Sequence, residues 1–188
     1  MRRARIPLVN PHVSPTLTTE RLVLRGFVDA DLEPLAAMNA DPEVMRYLGG
    51  ARSREWSAAS IDRCRSQWGK LGFGRFVIED DASREFVGWV SLEPVELDGY
   101  AGDVEIGWRL VRGCWGRGLA TEAAMTVLAW AFASLPVDRI LAVADAENAR
   151  SISVMRRLGM VHLADTPDEG RISTVWCTSR ALRTGAPD

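Results

Sequence analysis

The stretch "VEIGWRLVRGCWGRGLATEAA", residues 104–124, constrains the fold of this chain more than any other feature. Apolar and polar residues alternate in its first part, as in a strand with one buried face, and helix-forming residues fill its last part. Between them lie Gly116 and Gly118, which tolerate backbone angles that other residues avoid. The stretch therefore predicts a strand followed by a helix whose first backbone N–H groups are exposed.

The exposed N–H groups of a helix start attract anions, and successive amides in a glycine-containing turn can surround phosphate oxygens. We interpret this loop as a diphosphate site. On spacing alone, a tight strand–helix connection that needs glycines only for its geometry is the alternative. Arg117 either adds positive charge or faces water, and Glu122 has to point sideways to avoid repelling a phosphate. The loop lacks the GxxxxGK[ST] and GxGxxG patterns of other nucleotide sites.

Further strand and helix patterns lie on both sides of this stretch. Strands are predicted in "RLVLRGF", "GRFVIED", "EFVGWVSLEP", "DVEIGWRLV", "DRILAVAD", "MVHLAD" and "STVWCTSRAL". Helices are predicted in "DLEPLAAMN" with Asp29 or Asp31 as its cap, in "DPEVMRYLGG" as a turn or short helix, in "REWSAASIDRCRSQWGKLG", from Ala120 to before Pro136, and in "NARSISVMRRLG". This order predicts a mixed α/β (α+β) fold around one sheet, with a β-meander before the glycine loop.

Length and composition limit the function further. A chain of 188 residues is expected to form one domain over residues 16–182, with a loose arm at 1–15 and a tail at 183–188. The net charge of −2 argues against a nucleic-acid binder. The three cysteines lack the spacing of a disulfide framework or zinc site, so we expect no metal and a cytoplasmic location. No segment is apolar enough for a signal peptide or a membrane span.

Four segments in this order, "TERLVLRGF", "DPEVMRYLGG", "VEIGWRLVRGCWGRGLATEAA" and "AENARSISVMRRLGM", resemble the GNAT superfamily of N-acetyltransferases. The resemblance covers residues 16–182 and is strongest to the RimJ/RimL-like branch of ribosomal-protein acetyltransferases. It implies a mixed sheet of six or seven strands that is splayed in the middle, with acetyl-CoA in the gap. It also implies an enzyme that transfers an acetyl group directly from acetyl-CoA to a primary amine.

The resemblance assigns the cofactor site residue by residue. It implies that the pyrophosphate lies on the loop-to-helix amides of Trp115, Gly116, Arg117, Gly118, Leu119, Ala120 and Thr121. It also implies that the backbone of Trp108 and Leu110 runs beside the pantetheine arm. The family's loop often reads Gln/Arg-x-x-Gly-x-Gly/Ala, which Gly118 and Ala120 match. Trp115 replaces the Gln/Arg, an exchange common in the RimJ/RimL-like branch.

Acetyl transfer needs a base, because most amines are protonated at neutral pH and cannot attack a thioester. Glu105 is the first candidate, since it shares a strand face with Gly107, a residue type that admits a ligand. The resemblance also places an acidic residue of this strand near the amine. Alternatively, Glu105 faces solvent and pairs with Arg109. Glu93 and Asp103 are the further candidates for the base.

The resemblance implies that Ser151 protonates the CoA sulfur and that Asn148 holds the pantetheine arm. Both residues also suit a purely structural role, Asn148 as a helix cap and Ser151 as a first-turn residue. Many members of the family use a tyrosine on this helix, and none is present here. Cys114 and His162 are interpreted as structural residues, since neither has a partner nearby in sequence for nucleophilic catalysis.

The acceptor is less constrained. The resemblance implies either a protein N-terminal α-amine or a small-molecule amine, and a monomer or homodimer. Trp89, Trp108 and Trp176 are expected in the core, whereas the aromatic residues of the N-terminal helices, namely Tyr47, Trp56 and Trp68, are candidates for the acceptor wall. A non-catalytic acyl-CoA-binding regulatory module is the alternative function. An ATP site would lack its Walker lysine.

Overall fold

A computed structural model describes residues 14–168 and 170–184 of the chain. The strands are β1 (Leu17–Thr18), β2 (Leu22–Arg25), β3 (Arg75–Asp80), β4 (Phe86–Pro94), β5 (Val104–Leu110), β6 (Arg139–Asp145), β7 (Val161–Asp168) and β8 (Arg171–Ser179). The helices are α1 (Leu32–Ala40), α2 (Arg54–Leu71), α3 (Leu119–Ser134), α4 (Ala149–Arg157) and α5 (Arg180–Thr184). Short 3-10 turns occupy Asp29–Asp31 and Arg112–Cys114.

One mixed sheet runs through the domain in the order β1-β2-β3-β4-β5-β6-β8-β7. Neighbouring strands are antiparallel except β5 and β6, which are parallel and share only the register pair Glu105 and Leu141. The sheet therefore splays in its middle, as expected. It has eight strands and not six or seven, because the two-residue β1 adds to the seven strands predicted from the sequence pattern.

Apolar residues cover both faces of the sheet. Alternate residues of β2 to β5, such as Leu24, Phe76 and Ile106, pack with α3 and α4 in the largest core cluster. The opposite face carries Val77 and Trp89, which pack with residues of α1 and α2. This alternation is the period of two expected for strands covered on both sides. It leaves one face of β4 and β5 beneath the segment between α1 and α2.

Residues 41–50 form turns and no regular helix, which agrees with the turn and not with the short helix as the prediction for this segment. Local structure departs from the sequence predictions in three places. Asp31 precedes α1, but its carboxylate accepts from the Val28 N–H and from Arg25 and makes no capping bond to that helix. The end of the last predicted strand folds into α5, and Trp56 is exposed, stacked by Arg52 and Arg63. In the described part of the chain, no helix is both long and apolar enough to cross a membrane.

Candidate active site

The glycine loop places the start of α3 at the gap between β5 and β6. Gly116 and Gly118 have φ angles of +73° and +78°, in the left-handed region that favours glycine. The first helical hydrogen bond runs from Glu122 N–H to the carbonyl of Gly118. The amides of Leu119, Ala120 and Thr121 are therefore without a partner inside the helix. This arrangement can bind an anion through its backbone.

The carboxylate of Glu122 is turned away from this anion site. It accepts from the guanidinium of Arg21 at 2.7 Å and from the hydroxyl of Thr19. Burial opposes the ionised form of Glu122, but the hydrogen bonds from Thr19 and Arg21 outweigh burial and lower its pKa. Arg21 also donates to the Arg117 carbonyl at 3.1 Å, so one ion pair holds both the helix start and the loop.

A cavity of about 740 Å³ extends from this loop along β5. It reaches β4, the turns after α1, the end of β6 and the first turns of α4. Nearly all of the predicted cofactor residues line it, namely Trp108, Leu110, Trp115, Gly116, Gly118, Leu119, Ala120, Thr121, Asn148 and Ser151. Arg117 does not: its side chain is exposed and lies 3.9 Å from the Cys114 sulfur.

The floor of the cavity is one face of the paired strands β4 and β5. The register pairs there are Trp89 with Arg109, Ser91 with Gly107, and Glu93 with Glu105. All six residues line the cavity. The strand pattern thus brings the predicted base Glu105 and the further candidate Glu93 together on adjacent strands.

Glu105 lies in an environment that disfavours its charge. Burial, with smaller contributions from the charges of Glu93 and Glu96, raises its pKa from 4.5 to about 7. Glu93 is held by an ion pair with Arg75 at 2.7 Å. No ion pair joins Glu105 to Arg109 among the described residues, because four residues along a strand separate their Cα atoms by about 13 Å. Glu105 can exchange a proton near neutral pH.

The first turn of α4 borders the cavity on the side of β6. The side-chain oxygen of Asn148 accepts from the Ser151 N–H at 3.2 Å, so Asn148 is the helix cap that its residue type suggests. Both side chains line the cavity. Arg150, which the sequence pattern did not single out, extends over the Trp115 ring at 4.4 Å and also lines the cavity.

Other candidates lie elsewhere or have other partners. Asp103 pairs with Arg139 at 2.6 Å and is outside the cavity lining, which removes it from consideration as the base. Cys114 lines the cavity, but burial raises its pKa, which disfavours a thiolate. His162 is exposed, outside this cavity, and contacts Asp165.

The expected aromatic wall is only partly present. Tyr47 lines the cavity, whereas Trp68 packs on Phe76 and Trp130 in the core. Trp89 is buried as expected, yet it also borders the cavity between two arginines. Sequence reasoning also passed over Glu96, which lines the cavity. For Arg109, the alternation of apolar and polar residues in β5 predicts a position on the same face as Glu105, and this pattern could have identified Arg109 as a cavity residue.

Thr121 provides a test of whether these residues fit a diphosphate. Its hydroxyl oxygen is buried, lines the cavity region at the helix start, and has no hydrogen-bond partner among the described residues. A buried polar atom without a partner is costly, so a bound oxygen that accepts from it stabilises the site. With the free amides and the nearby cation Arg150, the residues present fit a phosphate-bearing ligand.

Comparisons with known proteins agree with this architecture. The acetyltransferase (GNAT) domain family matches residues 21–161. The uncharacterized N-acetyltransferase p20 of Bacillus licheniformis is 32% identical over 145 residues, which are 76% of this chain and 80% of the relative. The FsC-acetyl coenzyme A-N(2)-transacetylase of Aspergillus fumigatus is 31% identical in an alignment that covers 83% of this chain and 72% of the relative.

The solved structures show the same fold. The crystal structure of an acetyltransferase from Agrobacterium tumefaciens str. C58 superimposes with a TM-score of 0.79 at 26% identity, covering 95% of this chain and 100% of that one. The family match spans β2 to β6, the glycine loop and α4. This chain is therefore an acyltransferase that belongs to the acetyltransferase (GNAT) family.

Proposed function

We propose that the protein transfers the acetyl group of acetyl-CoA to the primary amine of a protein N-terminus or a small molecule. One observation carries this proposal: a single cavity joins the free amides of the α3 start to Glu105, the carboxyl group whose pKa is raised to about 7. The first feature suits the CoA diphosphate and the second suits deprotonation of an amine. Glu105 lies at the one register pair of β5 with β6, beyond which the two strands separate.

Acetyl-CoA supplies the reactive thioester. Glu105 accepts a proton from the ammonium group of the acceptor, directly or through water. The neutral amine nitrogen then forms the new C–N bond, the C–S bond breaks, and the nitrogen releases its second proton to solvent. Ser151 donates a proton to the departing sulfur and regains one from solvent. The positions of Asn148 and Ser151, with no tyrosine on α4, are the features that support placing the chain in the RimJ/RimL-like branch.

Two measurements test the proposal. Acetyl-CoA and CoA, but not ATP or NAD at equal concentration, should raise the melting temperature, since a ligand at 100 times its Kd stabilises a fold by about 2.7 kcal/mol. Release of free thiol should then require both acetyl-CoA and an amine, across N-terminal peptides, polyamines, amino acids and aminoglycosides. Binding of CoA without thiol release would favour the non-catalytic binding module, and absence of CoA binding would overturn both functions.

A further inference from the structure

One end of the cavity floor carries Trp89 and Arg109. With the neighbouring Arg75 and Arg52, which do not line the cavity, they form the cluster that we call the basic cluster. The guanidinium groups of Arg75 and Arg109 lie over the Trp89 ring, at 4.1 Å and 4.9 Å from its centroid. Arg75 is neutralised by Glu93. Arg109 donates only to the neutral Asn39 side chain, at 2.7 Å, and neither Arg109 nor Arg52 has an ion-pair partner within the described part of the chain.

Several N–H donors of this cluster are buried without an acceptor. They are the Trp89 indole N–H and the Nε–H groups of Arg52, Arg75 and Arg109, each unpartnered among the described residues. Burial, followed by repulsion from Arg75, lowers the pKa of Arg109 to about 9, so it remains a cation at neutral pH. Unpaired buried donors and a buried cation are both unfavourable. An anion in the cavity beside Arg109 offsets the cost of its buried charge.

The other end of the cavity floor carries an excess of negative charge. Glu93, Glu96 and Glu105 line the cavity there, and the like charges oppose ionisation of Glu105. An ammonium group beside Glu105 relieves this repulsion, as an anion beside Arg109 relieves the other. Because about 13 Å separates the two Cα atoms, Glu105 and Arg109 do not neutralise each other, and one molecule with both charges can contact both.

We infer that the acceptor is a zwitterion, an amine that also carries a carboxylate, and that Arg109 binds the carboxylate while the amine lies at Glu105. This inference rests on the proposed acetyl transfer and adds the substrate class to it. A planar guanidinium suits a carboxylate through two parallel hydrogen bonds, and the indole N–H of Trp89 is a third donor nearby. Among the described residues no acidic side chain forms an ion pair with Arg109, so its guanidinium is available to bind a carboxylate.

The test compares acceptors with and without the carboxylate charge, and 6-aminohexanoate is the pair in which the charge is too far from the amine to change the pKa of the amine. Glycine, β-alanine and 6-aminohexanoate are each paired with their amide, and kcat/KM is measured for both members with the unmodified protein and with variants. We expect the unmodified protein to prefer the carboxylates by about 10- to 100-fold, the range for loss of a hydrogen bond to a charged group. Arg109→Gln should remove this preference by raising KM for the carboxylates, so that the acid and the amide of each pair are used equally well.

Two further variants make the result interpretable. Arg109→Lys keeps the positive charge but loses the planar guanidinium that makes two parallel hydrogen bonds, so it should retain part of the preference. It also tests the inference if Arg109→Gln does not fold. Arg63→Gln, an exposed residue of α2 that does not line the cavity, is the matched control and should keep it all. Equal use of acids and amides, or a preference that survives Arg109→Gln, would overturn the inference.

The proposed function fails in a different way. If acetyl-CoA binds and other amines release thiol while none of the three carboxylates is acetylated, the zwitterion inference is wrong and acetyl transfer stands. If no amine of any class releases thiol, acetyl transfer itself is wrong.

Discussion

Glu93 and Glu105 are direct register partners on the antiparallel strands β4 and β5, and both carboxyl groups face one cavity. Such pairing places two acidic side chains within reach of each other. Arg75 neutralises Glu93 at 2.7 Å, and Glu105 is left as the group that resists ionisation. Burial, with a smaller contribution from the charge of Glu93, gives Glu105 a pKa near neutrality, which is the property required of a base that works at physiological pH.

The pH dependence of acetyl transfer should therefore follow Glu105. Only its ionised form accepts a proton, so kcat/KM should rise with pH to a plateau above about pH 7. In Glu93→Gln, the negative charge nearest to Glu105 in the register disappears, which lowers the pKa of Glu105. The rise should then occur at lower pH when measured with the same acceptor.

The exposed Glu20 provides the control for this prediction. Glu20→Gln should have the pH profile of the unmodified protein, whereas Glu105→Gln should lose most of its turnover at neutral pH and bind acetyl-CoA normally. A pH profile of Glu93→Gln identical to that of the unmodified protein would show that another group titrates.

The raised pKa of Glu105 should also affect the free energy of unfolding, because keeping this carboxylate ionised in the folded protein is unfavourable. The pKa of Glu105 is 4.5 when unfolded and about 7 when folded, so the folded state binds the proton more tightly. Stability is then lost as pH rises from about 4.5 to 7 and stays lost above that range. Glu105→Gln removes this cost and should raise the free energy of unfolding at pH 8 by up to about 3 kcal/mol.

Urea denaturation at pH 5 and pH 8 measures this effect. The gain from Glu105→Gln should be small at pH 5 and larger at pH 8, with no such difference for Glu20→Gln. An equal gain at both pH values would indicate a change of packing and not of ionisation.

Gly116 and Gly50 form a matched pair for testing the glycine loop. Their φ angles are +73° and +83°, and a Cβ built on either meets no atom within 4 Å. Replacement by alanine should cost about 1–2 kcal/mol of stability at both positions, from backbone strain alone. Only Gly116 lines the cavity, so only Gly116→Ala should weaken CoA binding, by about tenfold, equivalent to 1.4 kcal/mol.

Isothermal titration with CoA checks this pair directly. Equal loss of affinity in both variants would assign the effect to general destabilisation. Unchanged affinity in Gly116→Ala would show that the loop is only a tight connection, as spacing alone also allowed.

Ser151 should act on turnover and not on cofactor affinity. Ser151→Ala should lower kcat by about 100-fold, the lower end for a general acid, while the Kd of acetyl-CoA stays within a factor of two. Ser66, an exposed serine of α2, is the control and its alanine variant should be fully active. Full kcat in Ser151→Ala would mean that water protonates the sulfur.

Local chemistry explains why much of the site could be predicted. The alternation in β5 determines that Glu105, Gly107 and Arg109 share a face, and the positive φ of Gly116 and Gly118 follows from their residue type in a tight loop. Asn148 caps α4 because its side chain bonds to an N–H three residues away. Each of these features is set by residues a few positions apart in the sequence, so a local sequence pattern can predict it.

The predictions that failed depended on side-chain contacts that strand and helix periodicity do not specify. Asp31 bonds to Arg25 and does not cap α1, and Asp103 is paired with Arg139 from another strand. Trp56 satisfies the helical period of α2 only approximately and points to solvent. In each case the outcome follows from which element packs nearby, and a local pattern contains no information about that.

The sequence by itself determined the fold class, the strand and helix order, the glycine loop and the two polar residues at the start of α4, since all of these arise from local periodicity and residue conformation. Only the tertiary structure decided the electrostatics of the site. Register pairing of β4 with β5 brings Glu93 to Glu105 and Trp89 to Arg109, and the splay of β5 from β6 opens the cavity that contains them. Burial and charge neighbours act through space, so the raised pKa of Glu105 and the unpaired Arg109 emerge only when the strands assemble.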